Sequence, residues 1–399
     1  MLPKDSGLDS PGLSCLSFLQ LARAPSTEFM GVPHFEEVKW QAPGHLEGET
    51  EEELLARIDE QAVAICKTLL DSWSSGAKAS VEVITGGITN ALFKVTNAEL
   101  SAESAQKAVI LRVFGDNTDL LIDRKKELSV LLQLNKHDFG AKVLTTFSNG
   151  RIEEYLTSVA MDFNQCVQDK YISKIARLTA KFHAMDIEAP REPNMWSTLA
   201  KWLETARGLV FEDEAMRRAH GAIDFELMTA EIEALTRMCE KISPKVVWVH
   251  SDLLPGNIML DAPRAAMTFI DFEYSTYGYQ GFDLGNHWNE CMGLECNIDL
   301  YPPVEKRRLF VEEYLRGWSG DGEAETKGQG AAKGEVDRLL LESEYFVLVS
   351  HVWWGVWAII QARYSKIDFN YFEYFEKRWK YYLDLKPKTF AELEVSFPW

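Results

Sequence analysis

The sequence predicts an α+β fold, with a smaller part built on an antiparallel sheet plus a helix and a larger, mainly helical part. Three observations carry this reading. Short β-branched and aromatic runs crowd into residues 81–156, and apolar residues recur with a 3.6-residue period from 169 onward. Between residues 246 and 271, two strand-like runs end in carboxylates and an amide. At 399 residues the chain is long enough for two lobes with a sizeable core. The boundaries expected are a variable, partly disordered extension over 1–45, an N-terminal lobe over 46–157 and a C-terminal lobe over 158–399.

Taken in order, residues 1–45 carry Pro, Ser and Gly interruptions and no sustained period. Glu51–Ser72 keeps Leu54, Leu55, Ile58, Ala62, Ile65 and Leu69 on one helical face. Val81–Ile84, Leu92–Val95 and Ala108–Phe114 read as strands of one sheet, with a turn at Gly86–Gly87. A helix follows over Asp123–Leu134. Val143–Phe147 and Ile152–Leu156 are the last strands of the first lobe, and Glu153–Ser158 leads out of it. Asp169–Asp186 is a buried amphipathic helix, in which His183 reads as a core or capping residue. Further helices occupy 199–240. Ser319–Glu335 is Gly-rich and charged, with almost no large apolar residue, and reads as a flexible insertion.

Composition narrows the function classes. The chain is 46% hydrophobic and 26% charged, as in ordinary globular proteins, and its formal net charge is −19. Such acidity repels nucleic acid and anionic membrane surfaces, so neither is an expected partner. It suits a cationic small molecule. Six scattered Cys with no C-x-x-C point to free thiols in a reducing compartment. No run approaches eighteen consecutive apolar residues, so no stable membrane insertion is expected and the cytoplasm is the default location. Monomer and homodimer are both open.

The densest chemistry lies in 246–290. Val246–Val249 reads as a buried strand that delivers His250 and Asp252 at its end. Pro255 and Gly256 break the backbone, so Asp252 and Asn257 sit on a loop. A second strand, Met267–Ile270, carries Asp271 at its tip. Phosphoryl transfer from a nucleotide needs this set: a carboxylate to orient a hydroxyl and accept its proton, and an amide oxygen with a second carboxylate to hold Mg²⁺. A lone H-x-D would merely brace a turn. Asn257 five residues on, and Asp271 at a strand end, favour the catalytic reading.

The stretches HSDLLPGN, IDFEYSTYGYQGFDLGNHWNE and SHVWWGVWAIIQA resemble the choline/ethanolamine kinase family over roughly Val81–Trp379. The DLL after His250 and the N-E-x-x-G at Asn289–Gly293 look more like ethanolamine kinases. Ser251, Gly278 and Trp288 depart from the residues usual in the family. The resemblance implies a two-lobed protein-kinase-like fold and ATP with Mg²⁺ as cofactors. The reaction it implies is phosphorylation of ethanolamine, the first step of the CDP-ethanolamine route to phosphatidylethanolamine. Choline, or both amino-alcohols, is the alternative substrate.

The same resemblance distributes roles along the chain. Asp252 would be the catalytic carboxylate, with Asn257 and Asp271 as metal ligands. The turn Thr85–Asn90 would be the ATP loop, contributing Gly86, Gly87, Thr89 and Asn90; on pattern alone it is a plain hairpin turn. Arg112 would replace the kinase strand lysine and Glu127 would be its ion-pair partner, against an ordinary strand-end Arg and a solvated helical Glu. Glu290 would be a substrate-site carboxylate, and Asp283 a brace for the catalytic loop. Asn286 and His287 read as capping and packing groups. Trp354 and Trp357, three apart, share a helical face, a pattern more usual in a core. In the family such a pair, with later aromatics at Phe369 and Tyr374, surrounds the ammonium.

Overall fold

The structure is a computed structural model that describes residues 27–29, 31–43, 46, 49–73, 78–84, 90–115, 124–261, 266–318, 333–365 and 367–397. Gly86, Gly87, Thr89, most of the expected insertion and the first 26 residues of the expected extension lie outside them. The chain divides into two compact units, one within Met1–Leu121 and Ala141–Tyr155, the other within Ile122–Gly140 and Leu156–Trp399.

The first unit is a sheet with one helix. Its elements are β1 (Thr27–Phe29), β2 (Val32–Phe35), α1 (Glu51–Leu69), β3 (Ala79–Ile84), β4 (Asn90–Asn97) and β5 (Ala108–Phe114). Then α2 (Arg124–Asn135), assigned to the second unit, precedes β6 (Val143–Phe147) and β7 (Gly150–Glu154). The sheet order is β1-β2-β6-β7-β5-β4-β3, antiparallel throughout except between β2 and β6. Two strands and the buried Phe35, Val38 and Trp40 thus come from the stretch read as an extension, too short and too broken for a period to show.

α1 starts in a capping box: the Thr50 hydroxyl accepts the Glu53 N–H at 3.3 Å, and the Glu53 carboxylate accepts the Thr50 N–H at 2.8 Å. Its buried stripe is Ala62, Ile65, Cys66 and Leu69, at the spacing of one helical face. The stripe shares a core with Val95, Val109, Leu111 and Ile152, where Trp40 stacks on Phe93 at 4.8 Å.

The second unit continues with β8 (Val159–Ala160), α3 (Asp169–His183), α4 (Met195–Arg207), α5 (Glu214–Gly221) and α6 (Phe225–Ile242). Then come β9 (Val246–Val249), β10 (Ile258–Asp261), β11 (Ala266–Phe269), β12 (Thr276–Tyr279) and α7 (Gln280–Glu290). It ends with α8 (Val304–Trp318), α9 (Lys333–Tyr364) and α10 (Tyr371–Ser396). β10 pairs with β8 and β11, and β9 with β12, all antiparallel.

α9 is apolar on nearly every side because it runs through the core. Among the described residues it is the one helix long and apolar enough to cross a membrane, and 89% of its apolar window is buried inside the protein. The five described cysteines are free. Cys166 and Cys291 touch at 3.0 Å between sulfurs, and that contact, with burial, pushes the Cys291 thiol far up, away from the reactive thiolate.

Candidate active site

The site grows from the turn after β9. His250 and Ser251 donate their backbone N–H groups to the two oxygens of Asp283, at 2.6 and 2.7 Å. Asp283 sits in the first turn of α7, fully buried, and also takes His183 Nε2 at 2.9 Å. Burial alone would raise its carboxyl; the hydrogen bond and charge of His183, with the His250 N–H, bring it below the usual value. Asp283 therefore braces the loop from outside, as the sequence suggested, and His183 is its anchor.

Ser251 adopts φ +68°, the left-handed region that asparagine enters more cheaply. That conformation turns the chain so that Asp252 emerges beside Asn257, which closes a single 3₁₀ turn over Pro255–Asn257 rather than a plain loop. Asn257 Nδ2 donates to the Asp252 carboxylate at 3.1 Å and to its backbone carbonyl at 2.9 Å. Both amide protons are thereby spent on Asp252, and Oδ1 points the other way. His250 Nε2 meets the Ile270 carbonyl at 2.9 Å, tying this turn to the end of the second strand. There Asp271, exposed and at φ +65°, leaves the sheet.

Electrostatics single out Asp252. Burial, then the negative charges of Glu290, Asp271 and Glu273, push its carboxyl well above the usual carboxylate range, and the Asn257 amide only partly offsets them. The Glu290 carboxylate, at the end of α7, accepts Arg378 Nη1 from α10 at 3.0 Å. Burial raises the Glu290 carboxyl while Arg378 pulls it back.

Aromatic rings continue from this carboxylate cluster. Trp354 lies edge-on to Tyr274 at 5.7 Å and to Trp357 at 5.5 Å, and Trp357 Nε1 donates to the Tyr274 hydroxyl at 3.2 Å. Tyr371 bridges Trp357 to Phe369, at 5.9 and 4.9 Å, and Phe369 meets Tyr374 at 5.9 Å. The charges of Glu290 and Asp252 reach the Tyr374 phenol. Glu290, Trp354, Trp357, Phe369 and Tyr374 are thus brought together in one unit with Asp252, Asn257 and Asp271.

Arg112, on β5, pairs with Glu153 on β7 at 3.3 Å, and Arg151 takes the same carboxylate. Burial would raise Glu153, but the two guanidinium groups hold it down at about 2. Glu127 lies in the second unit and pairs with Arg124 one turn earlier, at 2.8 Å. Asn90 opens β4 opposite Phe114.

Sequence reasoning did not single out Tyr274, Tyr371 or Arg378, and it left Asn286 outside the site. Tyr274 was legible as the third residue after Asp271. Arg378 stands one helical turn from Tyr374. Asn286 accepts Trp354 Nε1 at 2.7 Å, a contact only the fold shows. Of the three departures noted above, Gly278 has a steric reason: a Cβ there would come within 2.6 Å of Val249 Cγ2, across the β9–β12 pair. Trp288 is buried edge-on against Phe310 at 6.3 Å.

A profile of the choline/ethanolamine kinase family matches residues 81–383. The chain is 36% identical over 331 residues to a probable ethanolamine kinase of Arabidopsis thaliana, covering 82% of this chain and 86% of that protein. It is 30% identical over 335 residues to a probable choline kinase of the same plant, covering 81% and 92%. Among solved structures, the ethanolamine kinase of Plasmodium vivax superposes with a TM-score of 0.69 at 24% identity, over 85% of this chain and 95% of that one, and shows the shared two-lobed kinase fold.

Proposed function

Because the chain belongs to the choline/ethanolamine kinase family, we propose that the carboxylates gathered at Asp252 form a phosphoryl-transfer centre, with ethanolamine as acceptor and ATP as donor. One observation carries the reading. Glu290, Asp271 and Glu273 crowd negative charge onto Asp252 beside a wall of aromatic rings, an arrangement that calls for cations. A divalent metal on one side and an ammonium on the other supply them.

The residues fit Mg²⁺. Asn257 Oδ1 faces away from Asp252, and Asp271 is an exposed carboxylate at a strand end; one or two such oxygens with phosphates and water suffice for this ion. Bound there, Mg²⁺ would neutralise charge on the phosphates. Asp252 would accept a hydrogen bond from the ethanolamine hydroxyl, aim its oxygen in line with the γ-phosphoryl group and take the proton as the new P–O bond forms, while the bond from the γ-phosphorus to the bridging oxygen breaks and ADP leaves with that electron pair. Burial and the neighbouring negative charges make its carboxyl a stronger base than an ordinary aspartate, and cations that neutralise those charges leave the share that burial contributes. The two Asn257 hydrogen bonds fix the orientation of that carboxylate. On the nucleotide side, Arg112, oriented by Glu153, and the Gly86–Asn90 loop are the proposed phosphate contacts. The expected setting is the cytoplasm, as a monomer or homodimer, to be checked by cell fractionation and sedimentation.

The wall of Tyr274, Trp354, Trp357 and Tyr371 favours a second reading, choline or both substrates, because a quaternary ammonium relies on ring faces alone. Ethanolamine can in addition donate N–H bonds to Glu290. The test is Mg²⁺-dependent ADP release from purified protein with ethanolamine, choline and no acceptor in parallel. A higher kcat/KM on ethanolamine is expected, with no turnover after chelation of the metal. Comparable use of choline would establish the dual reading, and turnover of neither would remove the substrate assignment.

A further inference from the structure

A buried network links two of the proposed substrate contacts, Glu290 and Trp354. Arg378, on α10, is fully buried. Its Nη1 donates to Glu290 Oε1 at 3.0 Å, and its Nη2 donates to Ser350 Oγ at 3.0 Å and to the Ser350 carbonyl at 3.1 Å. The guanidinium carbon lies over the Tyr374 ring at 5.5 Å. Ser350 passes its own proton to Asn286 Oδ1 at 2.8 Å, and that oxygen also receives Trp354 Nε1 at 2.7 Å. An unbroken path of hydrogen bonds therefore joins the carboxylate Glu290 to the indole of Trp354, and Arg378 stands at its branch point.

We propose that Arg378 is a positioning residue for the ammonium pocket: its guanidinium orients Glu290 directly and Trp354 through Ser350 and Asn286, so that carboxylate and aromatic wall are held as one unit. The inference rests on the reading that this pocket receives the substrate ammonium. A planar guanidinium suits the task because its donors fan out in fixed directions towards Glu290 and Ser350 while its face covers Tyr374. A lysine has one nitrogen, no flat face and no means of meeting both partners at these angles. With Oε1 committed to Arg378, the substrate is left Oε2. The pocket is thus set for a cation small enough to meet that oxygen and the indole together.

The test uses the full chain carrying Arg378→Lys or Ser350→Ala. Arg378→Lys should raise the KM for ethanolamine about 10–100-fold, while the KM for ATP stays within about twofold. Ser350→Ala, which removes one hydroxyl and keeps the charge pair, should raise it about 3–10-fold. A scaffold role alone would lower activity with both substrates in parallel and leave both KM values in place. That result, or an ethanolamine KM within about twofold of wild type in Ser350→Ala, overturns the proposal. If Arg378→Lys does not fold, Ser350→Ala decides. Should the wild-type protein prefer choline, the ethanolamine reading fails and the positioning role is scored on the choline KM. Should it turn over neither, quenching of indole fluorescence by ethanolamine and by choline is compared between wild type and Ser350→Ala. Equal quenching in the two then counts against Arg378, and no quenching in either overturns both readings.

Discussion

Asp252 is held by a backbone that bends in an uncommon way on both sides of the site. Ser251 and Asp271 both occupy the left-handed region, where a residue with a Cβ is strained, and the Ser251 N–H, donated to the Asp283 carboxylate, maintains the first of them. Replacing Asp252 by Ala leaves that brace intact, so kcat should fall by about two to four orders of magnitude with ATP affinity largely retained. Nucleotide titration alongside turnover would show this, and a near wild-type rate would remove Asp252 from its role. Four residues past Asp283 on α7, His287 donates through Nδ1 to the Leu253 carbonyl from a fully buried position. Burial holds its imidazole down at about 4, against pulls upward from the Leu253 carbonyl and Asp283. The unfolded chain, with histidine near 6.5, therefore takes up a proton that the folded state refuses. Folding stability should decline as pH falls from about 6.5 towards 4, by at most about 3 kcal/mol from this group. Burial lowers His250 and His351 too, and they act in the same direction. Denaturant midpoints between pH 4 and 7 should vary less steeply in His287→Gln; parallel curves would count against the assignment.

At the scale of elements, α7 carries the burden. Asp283, Asn286, His287 and Glu290 all stand on its eleven residues, and every residue from Gly281 to Glu290 is buried. The helix can lie so deep because two glycines one turn apart face α9. A Cβ on Gly281 would come within 2.7 Å of the Phe346 ring, and one on Gly285 within 2.6 Å of the Ser343 carbonyl oxygen and 2.8 Å of the Val347 nitrogen. Backbone cannot yield as a side chain can. Gly285→Ala should therefore destabilise the fold by about 1–3 kcal/mol and lower Tm, with a loss of turnover as Asn286 and Glu290 shift. A Tm equal to wild type would refute the close-contact account. This contact was not legible beforehand. FDLGNHWNE displays its polar residues plainly, and the sequence suggested a loop and an ensuing helix; that one helix would be sunk on all sides depends on what α9 presents to it.

At the scale of the whole molecule, the chain forms two units. One contains the sheet with Arg112; the other contains the carboxylates and the aromatic rings. Local pattern carried far here. Ala108–Phe114, Val143–Phe147 and Val246–Val249 form strands with the bounds their β-branched runs suggest, and α1 starts at Glu51 behind its Thr50 cap. β1 and β2 escaped detection, because runs of three and four residues show no period and owe their stability to pairing with β6 and with each other. The sequence by itself determined the chemical groups and their order along the chain: Asp252 with Asn257 five residues on, Asp271 at a strand end, and paired tryptophans on one helical face. Those features live in spacing, and spacing survives without a fold. Only the tertiary structure decided that Arg378 pairs with Glu290 across 88 residues, that Asn286 carries the Trp354 indole across 68, and that Asp283 holds two backbone N–H groups more than 30 positions away. Such pairings are set by which helices pack together, and no local propensity encodes that choice.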